Sequence, residues 1–223
     1  MMFEHVGIDL GYSDLEAITT EHGRRYVMPN GGAYPSITTV LSILSEAGIA
    51  AWRKRVGEEE ANKISYRASQ RGTAVHEITE KYINNDEDYT SGFMPNVVSD
   101  FQSIKPILDE RIGKVYAQEV PLYSDYLKVA GRVDCIAEFD GKLSVIDFKT
   151  SRRYKSHSHV KNYFQQEAFY AIAWEERTGM PITQLVTIIA VDDGGSQVFV
   201  EHRDDWAPEL QKTIGKYYER ENS

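Results

Sequence analysis

Between about residues 36 and 111 the chain reads as mainly helical, with an apolar stripe at three- and four-residue spacing, and from Lys114 the pattern becomes extended. This pattern predicts a mainly helical portion over 1–112 and a β-sheet core over 113–223, joined in a single domain. Residues 1–23 show no sustained period and read as a loose lead-in, followed by a short strand at 24–28 and a turn at Pro29-Asn30-Gly31-Gly32. Ser36 or Thr38 is expected to cap a helix that runs through Ile43 and Leu44 and stops at Gly48. Further helices are expected at about 50–56 and 58–83, the second with the apolar stripe Ala74, Val75, Ile78, Tyr82 and Ile83. His76 and Glu80 lie one turn apart beside that stripe. A polar loop at 84–92 leads to a helix over 96–111, kinked or interrupted at Pro106.

In the second half, Val115, Ala117, Glu119 and Pro121 alternate with Tyr116, Gln118 and Val120, as a strand would. After a turn near Ser124-Asp125, strands at 127–139 and 142–149 flank Asp140-Gly141, a dipeptide suited to the two φ > 0 positions of a type I′ hairpin. Such a turn pairs Phe139 with Lys142 and, continuing outward, Asp134 with Asp147. Opposed side chains have Cβ atoms about 4.5–5.5 Å apart, where like charges destabilise a sheet unless a cation compensates. Lys149 shares the acids' face, while Val133, Cys135, Ala137, Phe139, Ile146 and Phe148 form the opposite, core face. For the hairpin alone, a solvated charged face is the plain alternative. The remaining elements are a helix at 160–178 ending at Gly179, a strand at 184–191, a turn at 192–195, an edge strand at 197–202, and a helix at 208–219 with Pro208 in its first turn.

With 41% hydrophobic and 26% charged residues the chain reads as a globular protein. A net charge of −9 argues against indiscriminate coating of nucleic acid, but leaves room for a local basic rim. Lys149, Arg152, Arg153, Lys155 and Lys161, with His157 and His159, form such a cluster next to the hairpin acids. The single cysteine, Cys135, excludes an intramolecular disulfide and a four-cysteine zinc or iron–sulfur site. No apolar run reaches bilayer-spanning length and the N-terminus has no signal-peptide pattern, so no membrane association and a cytoplasmic location are expected.

Asp147-Phe148-Lys149, preceded by Gly131-Arg132-Val133-Asp134, resembles the acid-x-Lys signature of the PD-(D/E)XK nuclease superfamily. Gly72-Thr73-Ala74-Val75-His76 ahead of it and Gln166 to Tyr170 after it resemble motifs of the RecB-like branch. The segments 34–40 and 52–57 are similar to those of phage exonucleases and of mitochondrial genome-maintenance exonucleases. The resemblance implies an α/β, α+β-layered fold with a restriction-endonuclease-like core: a central mixed sheet containing a three-stranded antiparallel meander, flanked by helices. It implies a metal-dependent DNA exonuclease acting from the ends of single-stranded DNA, phage-encoded and working in the host cytoplasm.

By the same resemblance, His76, Asp134, Asp147 and Lys149 are catalytic. His76, Asp134, Asp147 and the Phe148 carbonyl would hold Mg²⁺ or Mn²⁺, with Glu119 a candidate for a second metal. Lys149 would orient water and stabilise the transition state, its pKa lowered by the dication. Gln166 and Tyr170 would steady the strand or the lysine, and Thr150, Arg152, Arg153, Ser36 and Thr38 would contact DNA phosphates. The absence of a P-loop or helicase motif leaves unwinding to partner replication, repair or recombination proteins. Two other readings stay open: a structure-specific endonuclease of the same fold, and a catalytically silent nucleic-acid-binding module.

Overall fold

The computed structural model describes residues 2–223. Its centre is a five-stranded sheet in the order β4-β5-β6-β7-β8, formed by Ile112–Ser124, Val129–Phe139, Lys142–Ser151, Gln184–Val191 and Gly195–His202. The β4–β5, β5–β6 and β7–β8 pairs are antiparallel. β6 and β7 are parallel, which requires the long crossover supplied by helix α5, Lys161–Thr178. This is the expected mixed sheet: a meander followed by a returning strand, with β8 at the edge. Most of β7 is apolar and buried because helices cover both faces of the sheet.

One face packs against α3 (Glu58–Ile83) and α4 (Pro95–Arg111), where Ile78, Phe101 and Leu108 meet Cys135, Phe139, Ile146 and Phe148. The other packs against α5 together with α1 (Ile37–Ser42) and α6 (Arg203–Glu221), through Trp174, Phe169, Ile136 and Val145. Trp174, Phe101, Phe139 and Phe169 are fully buried, and each such side chain contributes about 1.5–3 kcal/mol from transfer out of water. The Asp140-Gly141 turn has φ values of 51° and 76°, the left-handed pair that the dipeptide predicted.

The N-terminal portion departs from expectation. Residues 17–35 form a small antiparallel sheet of β1 (Ala17–Thr20), β2 (Gly23–Val27) and β3 (Ala33–Pro35); β2 matches the short strand expected at 24–28, whereas β1 lies in the expected irregular lead-in and β3 has no expected counterpart. β1 is mostly exposed, so it carries no buried alternation by which it could be read. The helix after Ser36 ends at Ser42, and a new helix, α2 (Glu46–Val56), runs straight through Gly48. Pro106 lies inside an uninterrupted α4, and α6 begins at Arg203, which puts Pro208 beyond its first turn. Val133, expected on the Cys135 face, packs in the opposite core cluster with Ile136 and Val145. No helix among the described residues is long and apolar enough to cross a membrane.

α3 sets up the site. Before Val75 its only buried residue is Ala61; from Val75 to Ile83 the stripe Val75, Ile78, Thr79, Tyr82 and Ile83 is buried. His76 therefore sits where the helix first meets the sheet. Gly72, one turn earlier, lies against the end of β6, where an added Cβ would be 3.7 Å from Thr150 Oγ1.

Candidate active site

The β5–β6 ladder keeps the register set by its turn from Phe139–Lys142 as far as Cys135–Ile146, and there it stops. The next pair outward in that register is Asp134 and Asp147. Instead of continuing the ladder, the Phe148 N–H donates to Asp134 Oδ2 at 2.8 Å. A carboxylate has taken the place of a backbone carbonyl, so the two acids stand where the strands part rather than within a closed sheet.

Gly131, Arg132 and Asp134 of Gly131-Arg132-Val133-Asp134 each bear on the site's geometry. Gly131 leaves room for Tyr170 of α5: a Cβ there would lie 2.9 Å from both Tyr170 Cε1 and its hydroxyl oxygen. The Tyr170 hydroxyl donates to the Arg132 carbonyl at 2.7 Å, tying α5 to β5. The Arg132 guanidinium donates to the Glu119 carbonyl and to Asp14. Glu119 on β4 is held at φ 48°, a left-handed conformation that costs a non-glycine residue about 1–2 kcal/mol. The β4–β5 register on either side sets Glu119 opposite Asp134.

One ligand atom each from His76, Glu119 and Asp134 lies within 4.8 Å of the others. His76 Nδ1 is 3.5 Å from Asp134 Oδ2, and the imidazole ring stands edge-on to Phe148. Burial, then the like charges of Asp134 and Glu80, push the Glu119 carboxyl up to about 8, against the pull of Arg132. Asp147 is 1% exposed. Its two oxygens lack hydrogen bonds of normal geometry, and its compensation is the Lys149 ammonium in contact with Oδ2. Burial raises the Asp147 pKa and Lys149 restrains the rise. For Lys149, burial works against the charge, but Asp147 and Asp134 outweigh it and push the pKa up. The lysine is thus a fixed cation in this structure, with its ammonium 5.2 Å from the Tyr163 ring centroid.

This donor set fits a divalent cation. Crowded carboxylates, an imidazole, and buried Asp147 oxygens without hydrogen-bond donors are what Mg²⁺ or Mn²⁺ would compensate. Glu119, expected only at a second metal, belongs to the closest donor group, whereas the Asp147 carboxylate is turned to Lys149. A pH dependence follows. With its pKa at about 8, Glu119 is protonated at pH 6 and must lose that proton to act as a ligand. Mn²⁺ affinity measured by calorimetry should therefore rise from pH 6 to pH 8, and Glu119→Gln should flatten the rise. A slope unchanged in that variant would remove Glu119 from the ligand set.

Two buried residues that the sequence did not single out lie near Asp147. Thr187 of β7 is its register partner on the adjacent parallel strand, and its hydroxyl donates to Glu167 Oε1. Glu167 is fully buried; burial and the nearby Asp147 raise its pKa well above the usual carboxylate range. In sequence it looks like one more polar position of α5, next to the half-buried Gln166. Arg152, Arg153 and Thr150 line cavities beside the lysine. Ser36 is 2% exposed and its oxygen accepts from the Thr39 N–H at 3.0 Å, so it caps α1. Thr38 is exposed and lines a different cavity, with Tyr217 and Arg220 of α6.

The family model of the PD-(D/E)XK nuclease superfamily matches residues 97–220, more than half of the chain, and begins after His76. Mitochondrial genome maintenance exonuclease 1 of Mus musculus is 32% identical over 129 residues, covering 54% of this chain and 38% of the mouse protein. The Homo sapiens protein of that name is 29% identical over 130 residues, with the same coverage. The chain thus matches well under half the length of these curated relatives. A crystal structure of a candidate exonuclease from Eubacterium rectale aligns over 68% of both chains at 11% identity, with a TM-score of 0.42.

Proposed function

Because the chain belongs to the PD-(D/E)XK nuclease superfamily, we propose that it is a metal-dependent deoxyribonuclease that works as an exonuclease on the free ends of single-stranded DNA. The observation that carries this reading is the convergence of His76, Glu119 and Asp134 beside the Asp147–Lys149 pair. The names of the mouse and human relatives support the exonuclease assignment. A divalent cation held by these groups would activate water and neutralise charge on the scissile phosphate.

The chain's own residues do the rest. Asp134, fixed by the Phe148 N–H, and Glu119, fixed through the clamp of Arg132 on its carbonyl, present carboxylate oxygens from adjacent strands. Lys149, kept cationic by Asp147, donates to the water or to a non-bridging phosphate oxygen as charge builds up there. Tyr170 keeps β5 in place by donating to the Arg132 carbonyl two residues before Asp134. Arg152 and Arg153 would contact phosphates along the bound strand.

The test is a time course on linear single strands labelled at one end or the other, alongside a circular single strand, with Mg²⁺, Mn²⁺ or EDTA. Shortening of the linear strands with the circle intact and full inhibition by EDTA are expected. Cutting of the circle would make the protein an endonuclease of this fold, and binding with no cutting in either metal would make it a silent nucleic-acid-binding module.

A further inference from the structure

Past Lys149 the chain leaves β6 and crosses to α5 through a basic loop, and that loop is fastened to one face of the edge strand. Gly195, Gln197, Phe199 and Glu201 are alternate residues of β8 and so share a face. A Cβ on Gly195 would lie 2.5 Å from the Tyr154 hydroxyl oxygen, so the missing side chain makes room for Tyr154. Gln197 grips the backbone of Lys155 at both ends: its Oε1 accepts from the Lys155 N–H at 2.7 Å, and its Nε2 donates to the Lys155 carbonyl at 3.0 Å. His157 Nε2 is 2.7 Å from Glu201 Oε1, and the His157 ring lies 6.3 Å from that of Phe199. Trp206 Nε1 holds the other Glu201 oxygen at 3.0 Å.

The fastened loop borders an open cavity of about 430 Å³ whose lining includes Arg152, Arg153, Lys155, His159 and Tyr163, and no carboxylate. Tyr163 is also the ring beneath the Lys149 ammonium, so the cavity adjoins the candidate catalytic lysine. The other sizeable cavities mix charges: the one against α3 includes Asp192, and the one beneath α6 includes Glu21, Glu46 and Glu221. Three cations and an imidazole with no acid among them suit a phosphodiester.

We propose that this cavity seats the phosphodiester next to the one being cut, and that Gln197 is the positioning residue that holds its basic lining in place from β8. The proposal rests on the nuclease reading for the word "cut", but the binding it assigns is measurable without cleavage. Gln197 touches no substrate. Its amide is suited to the task because it both accepts from and donates to one peptide unit, which a carboxylate cannot do.

The experiment measures the affinity of the whole protein for a fluorescent single-stranded oligodeoxynucleotide in EDTA across a salt series, and steady-state cleavage of the same strand in Mn²⁺. Arg153→Ala should weaken binding and reduce the slope of log affinity against log salt by about one. Gln197→Ala should weaken binding about fivefold, the worth of a hydrogen bond or so, with the loss appearing in KM rather than in kcat. Gln197→Glu, which keeps only the acceptor, turns an oxygen to the Lys155 carbonyl and sets an anion beside the basic lining, should weaken binding at least as much as Gln197→Ala. An unchanged affinity in Gln197→Ala, a loss confined to kcat, or an unchanged salt slope in Arg153→Ala overturns the assignment. So does a wild-type protein that fails to bind the strand. Binding that behaves as expected, without cleavage by the wild type, overturns the nuclease reading and leaves the phosphodiester seat standing.

Discussion

Lys149→Met is expected to slow DNA cleavage by about 10²–10³-fold, the effect of removing one donor aimed at developing charge in a water-poor site. Methionine keeps much of the apolar stem and deletes the ammonium. The ammonium sits against Asp147, whose oxygens have no hydrogen-bond donor, so the substitution also strands a buried carboxylate. Breaking a buried pair from one side costs about 3–5 kcal/mol when the remaining charge cannot escape. Here Asp147 escapes in part by taking up a proton, since burial already pushes its pKa upward. The stability loss should therefore be smaller than that range and should grow as pH rises, because deprotonated Asp147 is the species left without a partner. Asp147→Asn in the same background removes that charge and should restore stability without restoring activity. Single-turnover rates and urea unfolding at pH 6 and pH 8 check both halves. Cleavage by Lys149→Met within tenfold of the wild type would eliminate the lysine as a catalytic group.

Gly131→Ala is the second substitution with a large expected effect, and it contacts no substrate. Its new methyl group would lie 2.9 Å from Tyr170 Cε1 and the Tyr170 hydroxyl oxygen, and 3.0 Å from Ile37 Cγ2. Tyr170 is 2% exposed and Ile37 is fully buried, so neither has free space to move into. Overpacking of this kind costs about 1–3 kcal/mol. The strain falls on the Tyr170–Arg132 hydrogen bond, which fixes β5 just before Asp134. Activity should drop together with the urea midpoint. Tyr170→Phe, which removes the hydroxyl and creates no clash, should lose less stability. A Gly131→Ala protein with the wild-type midpoint would show that the close approach of α5 to β5 is not required.

The hairpin was legible because every determinant is local. Asp140-Gly141 supplies two left-handed residues, the turn fixes the register, and period-two alternation separates Asp147 and Lys149 from Ile146 and Phe148. The mixed sheet came from the family resemblance, not from local pattern: the α5 crossover makes it possible for β7 to run parallel to β6, but a strand after a helix can equally return antiparallel. The register also pointed to the meeting of Asp134 with Asp147, but not to the end of the ladder one pair earlier. That end depends on Asp134 accepting the Phe148 N–H, a contact between a side chain and a backbone that no periodicity encodes. β1 stayed hidden for the opposite reason: it is mostly exposed and buries too little to leave a pattern.

Glu119 and Glu167 mark the boundary most clearly. Nothing in Gln118-Glu119-Val120 announces a left-handed glutamate; its conformation is held by Arg132, thirteen residues away, gripping its carbonyl. Glu167 reads as a polar position in a helix, and only the packing of α5 over β7 buries it beside Thr187 and Asp147. The sequence by itself determined the main helices and the strands of the central sheet, the turn, the hairpin register and the residue types able to hold a metal, because short-range sterics and side-chain period act within a few residues. The tertiary structure alone decided which carboxylates converge with His76, which one faces Lys149, and how the basic loop is held to β8. Those outcomes depend on long-range packing, burial and charges brought together from separate elements, whose interaction appears only once water is excluded from between them.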